Sequence, residues 1–375
     1  MVPKQTNSPA VSLVVPCYNV EKYISECLDS AVNQTLQDIE IICVNDGSTD
    51  GTLAILESYA ASDSRVKIIS KPNGGYGETM NRGIDAALGE YVGFLESDDY
   101  IALDTLEVLY RTAKDLGDLD FVKSDFYRFL TLPNGEKEIW RDDIDATGEY
   151  YGKVLNPQDD CRLFDLQMMT WTGIYRKDFL DAHSIRHHES PGASYQDNGF
   201  WFQTFAWGER ISVVHKPFYY YRQDNENSSI NQNNKVYAMF EEYGWIQNKL
   251  SRRFDEKPEL LGIFHYKKTH NLNFIMWLLA PRFRSEFLER YAQEYRAAEA
   301  AHEINWELFW PHEEKDLRLI MSDPGAFEKE MEKREQESAF LASAKEKGLL
   351  ALLFAHIKID GPMPTLKMAV KKIFG

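Results

Sequence analysis

The sequence is poor in the features that mark several large protein classes. It has 375 residues and four cysteines, Cys17, Cys27, Cys43 and Cys161, none in a C-x-x-C pair. That excludes a disulfide scaffold and the usual zinc-ribbon spacing, and implies buried free thiols in a reducing compartment, Cys17 and Cys43 lying inside apolar runs. No stretch approaches about 18 apolar residues, so no transmembrane helix is expected. The early apolar run VSLVV is five residues long and meets Pro16 at once, unlike a secretory leader. These readings predict a cytoplasmic protein, in which the two N-x-S/T matches at Asn33 and Asn227 carry no meaning. Positive charge is also scarce. Against 59 Asp and Glu stand 42 Lys and Arg, a formal net charge of −17. A nucleic-acid binder would need a basic face, so that class is set aside. Any anionic ligand would need local cations or a metal ion to offset the field.

What is present is enough apolar and aromatic matter for a sizeable core, 43% and 13% of residues. Apolar runs at 11–15, 39–46, 66–70 and 91–95 alternate with helical spacing at 20–33, 52–63, 78–88 and 104–116. Strands that are apolar throughout, separated by helices, predict βαβ units and a mostly parallel sheet covered on both faces. In such sheets ligands bind at the carboxyl ends of the strands. Four consecutive strand ends here carry polar or ring-bearing residues: Pro16, Tyr18 and Asn19; Asn45 and Asp46; Lys71 and a glycine-rich loop; and Glu96, Ser97, Asp98 and Asp99. Three carboxylates in the last four positions suit either a polar turn or a metal site. From 118 to about 233 the pattern is mixed, with a strand and its partner within 118–129, an antiparallel edge near 136–140 and dense aromatics from Trp171 to Tyr221. Beyond about 235 it is helical. The expected division is 1–234, holding the nucleotide and the chemistry, and 235–375, a helical region for acceptor, oligomer or membrane contact. The tail carries Lys358, Lys367, Lys371 and Lys372 against Asp360, a candidate for peripheral contact with an anionic membrane surface; a solvated tail is the alternative.

The run VSLVVPCYNVEKYISECLDSAVNQTLQDIEIICVNDGSTDGT, followed by MNRGIDAALGEYVGFLESDD, resembles the nucleotide-sugar half of the family 2 glycosyltransferases. The combination of P-x-Y-N, V-N-D-G-S-x-D-x-T, N-x-G and (D/E)-S-D-D in this order carries the resemblance. It implies an α/β GT-A fold and an inverting transfer of sugar from a UDP-sugar to a glycan, lipid-linked or protein-linked acceptor, assisted by Mn²⁺ or Mg²⁺. It implies Asp98 as metal ligand, since Asp98 matches the second acid of the family's D-x-D. Glu96 stands where the family has Asp, and could reach the ribose or a metal-bound water. Asp46 would accept from the uracil ring or, as a plain structural role, cap its turn. Pro16, Tyr18, Asn19 and Glu21 would hold base and ribose, although Glu21 equally suits a helix start. Asn73 and Arg82 would face the ligand from a loop whose glycines allow close backbone approach. Ser97 would complete the donor side, and Asp99 would either contact the sugar or stand behind the metal ligand and support it.

Transfer also requires a base for the acceptor hydroxyl, away from the metal. Asp197, opening an aromatic helix-like run, matches the family's base; a helix cap is the alternative. Its neighbour Gln196 replaces the family's Glu, on the acceptor side. Trp171 suits a sugar face or a core, and Arg222 a phosphate or a surface ion pair. His187, His188 and Glu189 read as a solvated loop. A non-catalytic nucleotide-sugar module, or a sugar nucleotidyltransferase, is the alternative function; the second normally has a basic Gly-rich loop after the first strand, absent here. Homo-oligomerisation is left open.

Overall fold

The computed structural model describes residues 8–193, 195–225 and 236–346. The chain divides into two compact units, Met1–Lys268 and Thr269–Gly375. The first begins β1 (Val11–Cys17), α1 (Ile24–Val32), β2 (Ile39–Asp46), α2 (Thr52–Ser62), β3 (Val66–Lys71), α3 (Tyr76–Ala86), β4 (Tyr91–Phe94), β5 (Tyr100–Ile101) and α4 (Thr105–Asp115). It continues with β6 (Phe121–Thr131), β7 (Lys137–Asp142), β8 (Gly173–Arg176), α5 (Lys177–Ala182), α6 (Gln196–Trp207), β9 (Ile211–Arg222), α7 (Ala238–Lys249) and α8 (Ser251–Glu256). Helix α9 (Glu259–Leu278) crosses the division, and α10 (Arg284–Ala300), α11 (Pro311–Ser322) and α12 (Pro324–Glu346) follow it. In that second unit α10 and α12 are tied by Arg284 to Glu335, and α11 and α12 by a bidentate pair from Arg334 to Asp316, at 2.6 and 2.8 Å. The basic tail lies outside the described residues.

The sheet runs β3-β2-β1-β4-β8-β6-β9-β5, with β7 added to β6. β3, β2, β1 and β4 are parallel, so their carboxyl ends share one edge. β8 turns antiparallel against β4, and β6 is antiparallel to β8 but parallel to β9. Strands β1 and β2 are buried along their whole length, as two-sided cover requires. β1 does not stop at Pro16 as the sequence suggested; it pairs on through Cys17↔Asn45. Pro16 lies beyond the last β1–β4 pair, Val14↔Phe94, so its missing amide hydrogen leaves that ladder whole. α3 starts two residues earlier than the spacing predicted, because Gly75 takes the positive φ (91°) that lets the chain turn into the helix. Cys17, Cys27 and Cys43 are buried; Cys161 is exposed, against expectation, and all four are free.

At the opposite edge one carboxylate binds the strand starts together. Glu40 accepts from Ser12 Oγ (2.5 Å), Lys67 Nζ (2.5 Å) and the Leu88 amide (2.7 Å). Although burial opposes it, these donors hold its pKa below the usual value. The other close fit is α3 on β1. A Cβ at Gly83 would stand 2.2 Å from Val14 Cγ1. Gly83→Ala should therefore destabilise the protein by about 1–3 kcal/mol despite its better helix propensity. Urea unfolding would measure the loss, and a more stable variant would contradict the packing.

Candidate active site

The first two strand ends clasp each other. The turn after β1 places Asn19 at φ 53°, where its amide donates to Ser48 Oγ (3.1 Å) and its Oδ1 accepts from the Thr49 amide (2.8 Å). Val20 donates to Thr52 Oγ1 (2.9 Å), and Glu21 Oε2 accepts from the Gly51 amide (2.5 Å). The two motifs therefore fix each other before any ligand is considered. Tyr18 is left 51% exposed above them, with its ring available to a planar partner.

Asp46 ends β2 almost fully buried, with a dense set of donors. It accepts from Lys71 Nζ (2.5 Å), the Gly74 amide (2.8 Å), the Gly75 amide (3.0 Å) and Asn73 Nδ2 (3.2 Å). Asn73 thus serves Asp46. Arg82 is exposed on α3 and among the described residues pairs with Glu78 alone, at 3.5 Å. Glu78 also lies 3.5 Å from Lys71, the lysine that holds Asp46, so Arg82 reaches the other site residues through that carboxylate and not directly. Two glycines of this segment, Gly75 and Gly77, approach protein backbone where the sequence suggested a ligand. A Cβ at Gly75 would meet Gly192 and Ser190 backbone atoms within 2.9 Å, and one at Gly77 would stand 1.9 Å from the His188 carbonyl oxygen. The segment 187–192 lies on the start of α3, tied by Asn81, which donates to the His187 carbonyl (3.0 Å) and accepts from its amide (2.8 Å). Tyr76 N–H adds a bond to the Gly192 carbonyl (2.9 Å).

That segment is not the solvated loop the sequence suggested. His187 is buried, its ring stacked on Phe200 at 4.5 Å and edge-on to Tyr76 at 5.7 Å. Burial pushes its pKa down to about 3. His188 lies parallel to Trp245 at 5.0 Å, its Nδ1 2.9 Å from Glu242 Oε2 on α7. Gln196 anchors the same segment through Ser190 Oγ (2.9 Å) and the Gly192 carbonyl (3.1 Å).

The acids after β4 divide into two kinds. Asp99 is buried and satisfied, accepting from Tyr219 Oη (2.7 Å) and the Arg222 amide (2.7 Å). Burial and the neighbouring Asp98 charge raise its pKa well above the usual range. It is buried and holds β9, which fits the supporting role of the two the sequence allowed and not the sugar contact. Arg222 likewise is turned inward. Its guanidinium donates to the Asp98 carbonyl (2.7 Å), Glu26 (2.6 Å) and Thr131 (3.2 Å), and lies over the rings of Tyr23 and Phe129. Trp171 is also interior, stacked on Tyr219 at 4.1 Å. Ser97 is buried beside them.

Glu96, Asp98 and Asp197 are the second kind. Among the described residues none forms an ion pair with Lys or Arg. Glu96 accepts from Tyr76 Oη (2.7 Å), and Asp98 Oδ2 from Asn225 Nδ2 (2.7 Å). Asp197 stands in the first turn of α6, where the preceding Tyr195 takes φ 67°; among the described residues only Asn198 Nδ2, at 3.5 Å, reaches its carboxylate from a side chain. Burial raises Glu96 to about 8, and the charges of Asp98 and Asp197 push the same way against the Tyr76 bond. Burial raises Asp197 to about 6. A Glu96 carboxyl that feels both Asp98 and Asp197, with no basic partner among the described residues, suits a divalent cation nearby, with Asp98 as the acid able to offer an oxygen, Oδ1. The three acids do not close into a three-ligand cluster. Among the described residues the group that does is Asp125, Asp143 and His215. There Arg141 already supplies the positive charge, 2.7 Å from Asp125 and 2.6 Å from Asp143.

A parallel sheet with an acid-lined edge, turning antiparallel at β8, is the GT-A arrangement, and the C-terminal region is helical. S. aureus TarS residues 1–349, solved in complex with UDP-GlcNAc, shares this fold with a TM-score of 0.65 over 87% of this chain and 91% of that one, at 21% identity. Residues 12–164 match the model of Glycosyl transferase family 2, and this part of the chain is a family 2 glycosyltransferase domain. Among curated relatives, EpsH of Bacillus subtilis (strain 168) is 38% identical over 216 residues, 57% of this chain and 61% of EpsH. The poly(ribitol-phosphate) beta-glucosyltransferase of Bacillus spizizenii is 33% identical over 227 residues, 59% of this chain and 33% of that protein. The chain spans about three fifths of the length of the first of these.

Sequence reasoning passed over Tyr76, Asn81 and Tyr219. Asn81→Ala, which strips both bonds from His187, should cost about 1–3 kcal/mol of stability. Arg82→Ala should stay within about 0.5 kcal/mol of the parent. Parallel denaturant titrations compare the two, and equal effects would undo the distinction.

Proposed function

We propose that the protein is an inverting glycosyltransferase that moves a sugar from a UDP-sugar to a hydroxyl of a glycan or glycoconjugate acceptor in polysaccharide synthesis. The observation that carries this reading is the trio Glu96, Asp98 and Asp197: bare of basic partners, at the carboxyl edge of a family 2 domain. The UDP-GlcNAc bound by TarS and the glucosyl transfer named for the Bacillus spizizenii relative support a nucleotide-sugar donor. The base and ribose lie against Tyr18 and the clasped turns at Asn19 and Glu21. Asp46 shapes the third wall through Asn73 and the Gly74–Gly75 amides, and Pro16 and Ser97 support the turns around it.

Asp98 would hold Mn²⁺ or Mg²⁺, and the bound ion would supply positive charge against the departing diphosphate. Arg222 and Asp99 keep Asp98 in place, one gripping its carbonyl oxygen, the other holding β9 beneath it. Asp197 accepts the proton of the acceptor hydroxyl as that oxygen attacks the anomeric carbon from the face opposite the diphosphate. Its raised pKa suits this task, since a base near neutrality combines availability with proton affinity. Gln196 and Trp171 act indirectly, by holding the acceptor-side segment and Tyr219.

Three outcomes follow. Asp197→Asn should lower turnover by about 10²–10⁴-fold while UDP affinity, by calorimetry, stays within about threefold. Near-parental turnover would remove Asp197 from the reaction. In the parent, the active form of Asp197 is the carboxylate, so turnover should rise as pH rises through about 6. Mn²⁺ with UDP should raise the thermal midpoint, and Asp98→Asn should abolish the metal-dependent part of that shift. No shift from any nucleoside diphosphate in the parent would count against the donor class itself.

A further inference from the structure

Glu96 is one carbon longer than the aspartate of the family pattern, and that extra reach has a partner. Its Oε1 accepts from the hydroxyl of Tyr76 at 2.7 Å. Tyr76 opens α3, so the residue that receives this carboxylate comes from the neighbouring strand-to-helix connection. Its ring is wedged edge-on to His187 at 5.7 Å, and its backbone N–H holds the Gly192 carbonyl at 2.9 Å. Both ring nitrogens of His187 are buried and have no hydrogen-bond partner, so that contact is one of packing. Tyr76 therefore uses two separate parts of itself. The backbone and ring hold the acceptor-side segment 187–192, and the hydroxyl holds the donor-side acid.

Glu96 has little other support. Its backbone N–H donates to Tyr219 Oη at 3.0 Å, which fixes the main chain but not the carboxylate. Glutamate has one more rotatable bond than aspartate, and that freedom must be removed before the acid presents a fixed face to a ligand. Among the described residues Tyr76 is the side chain that removes it.

We infer that Tyr76 is a positioning residue for the donor, and that its hydroxyl and Glu96 form a length-matched pair setting how the nucleotide sugar is held. This rests on the donor-site reading. Glu96 keeps Oε2 for a hydroxyl of the donor, while Oε1 stays bound to Tyr76, so the pair presents one oriented acceptor instead of a mobile acid. Shortening Glu96 to the family's own aspartate withdraws the carboxylate from Tyr76 by roughly one carbon–carbon bond and loses the same interaction that deleting the hydroxyl loses.

The test is a double-mutant cycle with Tyr76→Phe, Glu96→Asp and the pair of changes together, measured on the full chain. Tyr76→Phe keeps the ring, the packing on His187 and the backbone bond to Gly192. Each single variant should raise the UDP-sugar KM and the Kd of UDP with Mn²⁺ about tenfold, with kcat changed by less than about threefold. The double variant should be no worse than about twice the poorer single one. Additive losses, or a loss confined to kcat with KM unmoved, overturn the pairing. So does a Glu96→Asp variant that binds donor as well as the parent. Circular dichroism and the thermal midpoint identify a variant that fails to fold; Tyr76→Trp with Glu96→Asp then asks the same question with the ring kept bulky, and recovery of donor affinity there overturns the inference, since no hydroxyl is restored. A parent that binds no UDP overturns the donor-site reading and the inference with it, whereas a parent that binds UDP while the cycle is additive overturns the inference alone.

Discussion

The constraint that organises this molecule is the cost of gathering carboxylates at one sheet edge of a protein that is already strongly acidic. A buried carboxylate must find donors, take up a proton or meet a cation. The acids at this edge are sorted by which of those they do. Asp46 is met by a lysine, an asparagine and two loop amides. Asp99 is met by a tyrosine hydroxyl and a backbone amide. Both are spent on structure. Among the described residues Glu96, Asp98 and Asp197 have far fewer donors than a carboxylate can use, and Glu96 lies where the charges of the other two are felt. The sorting separates the residues that build the site from those left with capacity for a ligand.

The strand ends were legible because burial on both faces leaves continuous apolar runs, and the parallel order follows from helices between them. β2 and the acid run after β4 fall where their residues suggested. Proline misled at β1, since a ring without an amide hydrogen is tolerated where no neighbour needs it. Directions of side chains were less legible than positions. Arg222 and Asp99 have the chemistry of phosphate and metal contacts, but the sequence cannot say that Tyr219, 120 residues from Asp99, returns to it. Trp171 was drawn into the core by that same tyrosine.

The glycine-rich loop shows the same limit in another form. Close backbone approach was a sound inference from KPNGGYG, and the identity of what approaches was not. It is the segment 187–192, over a hundred residues away, packed against Gly75 and Gly77. Asn81, next to the more conspicuous Arg82, ties that segment down. A signal did exist for one missed residue. Glutamate in place of aspartate at 96 asks what the longer side chain reaches, and a tyrosine within the quoted loop is the answer.

The inward turn of Arg222 has a consequence for how the chain is made. The acid-bearing end of β4 is complete when the first hundred residues have been synthesised, but its keeper arrives with β9. Until residues 219–222 emerge, Asp99 has no hydroxyl or amide to bind, and Glu26 on α1 has no guanidinium. Local βαβ units can form early, while pairs this distant in sequence close late. The nascent chain therefore lacks the donors that Tyr219 and Arg222 bring to Asp99 and Glu26 in the finished unit. The late closing of β9 gives the order of assembly a direction, so that ligand capacity belongs to the finished unit and not to its growing fragments.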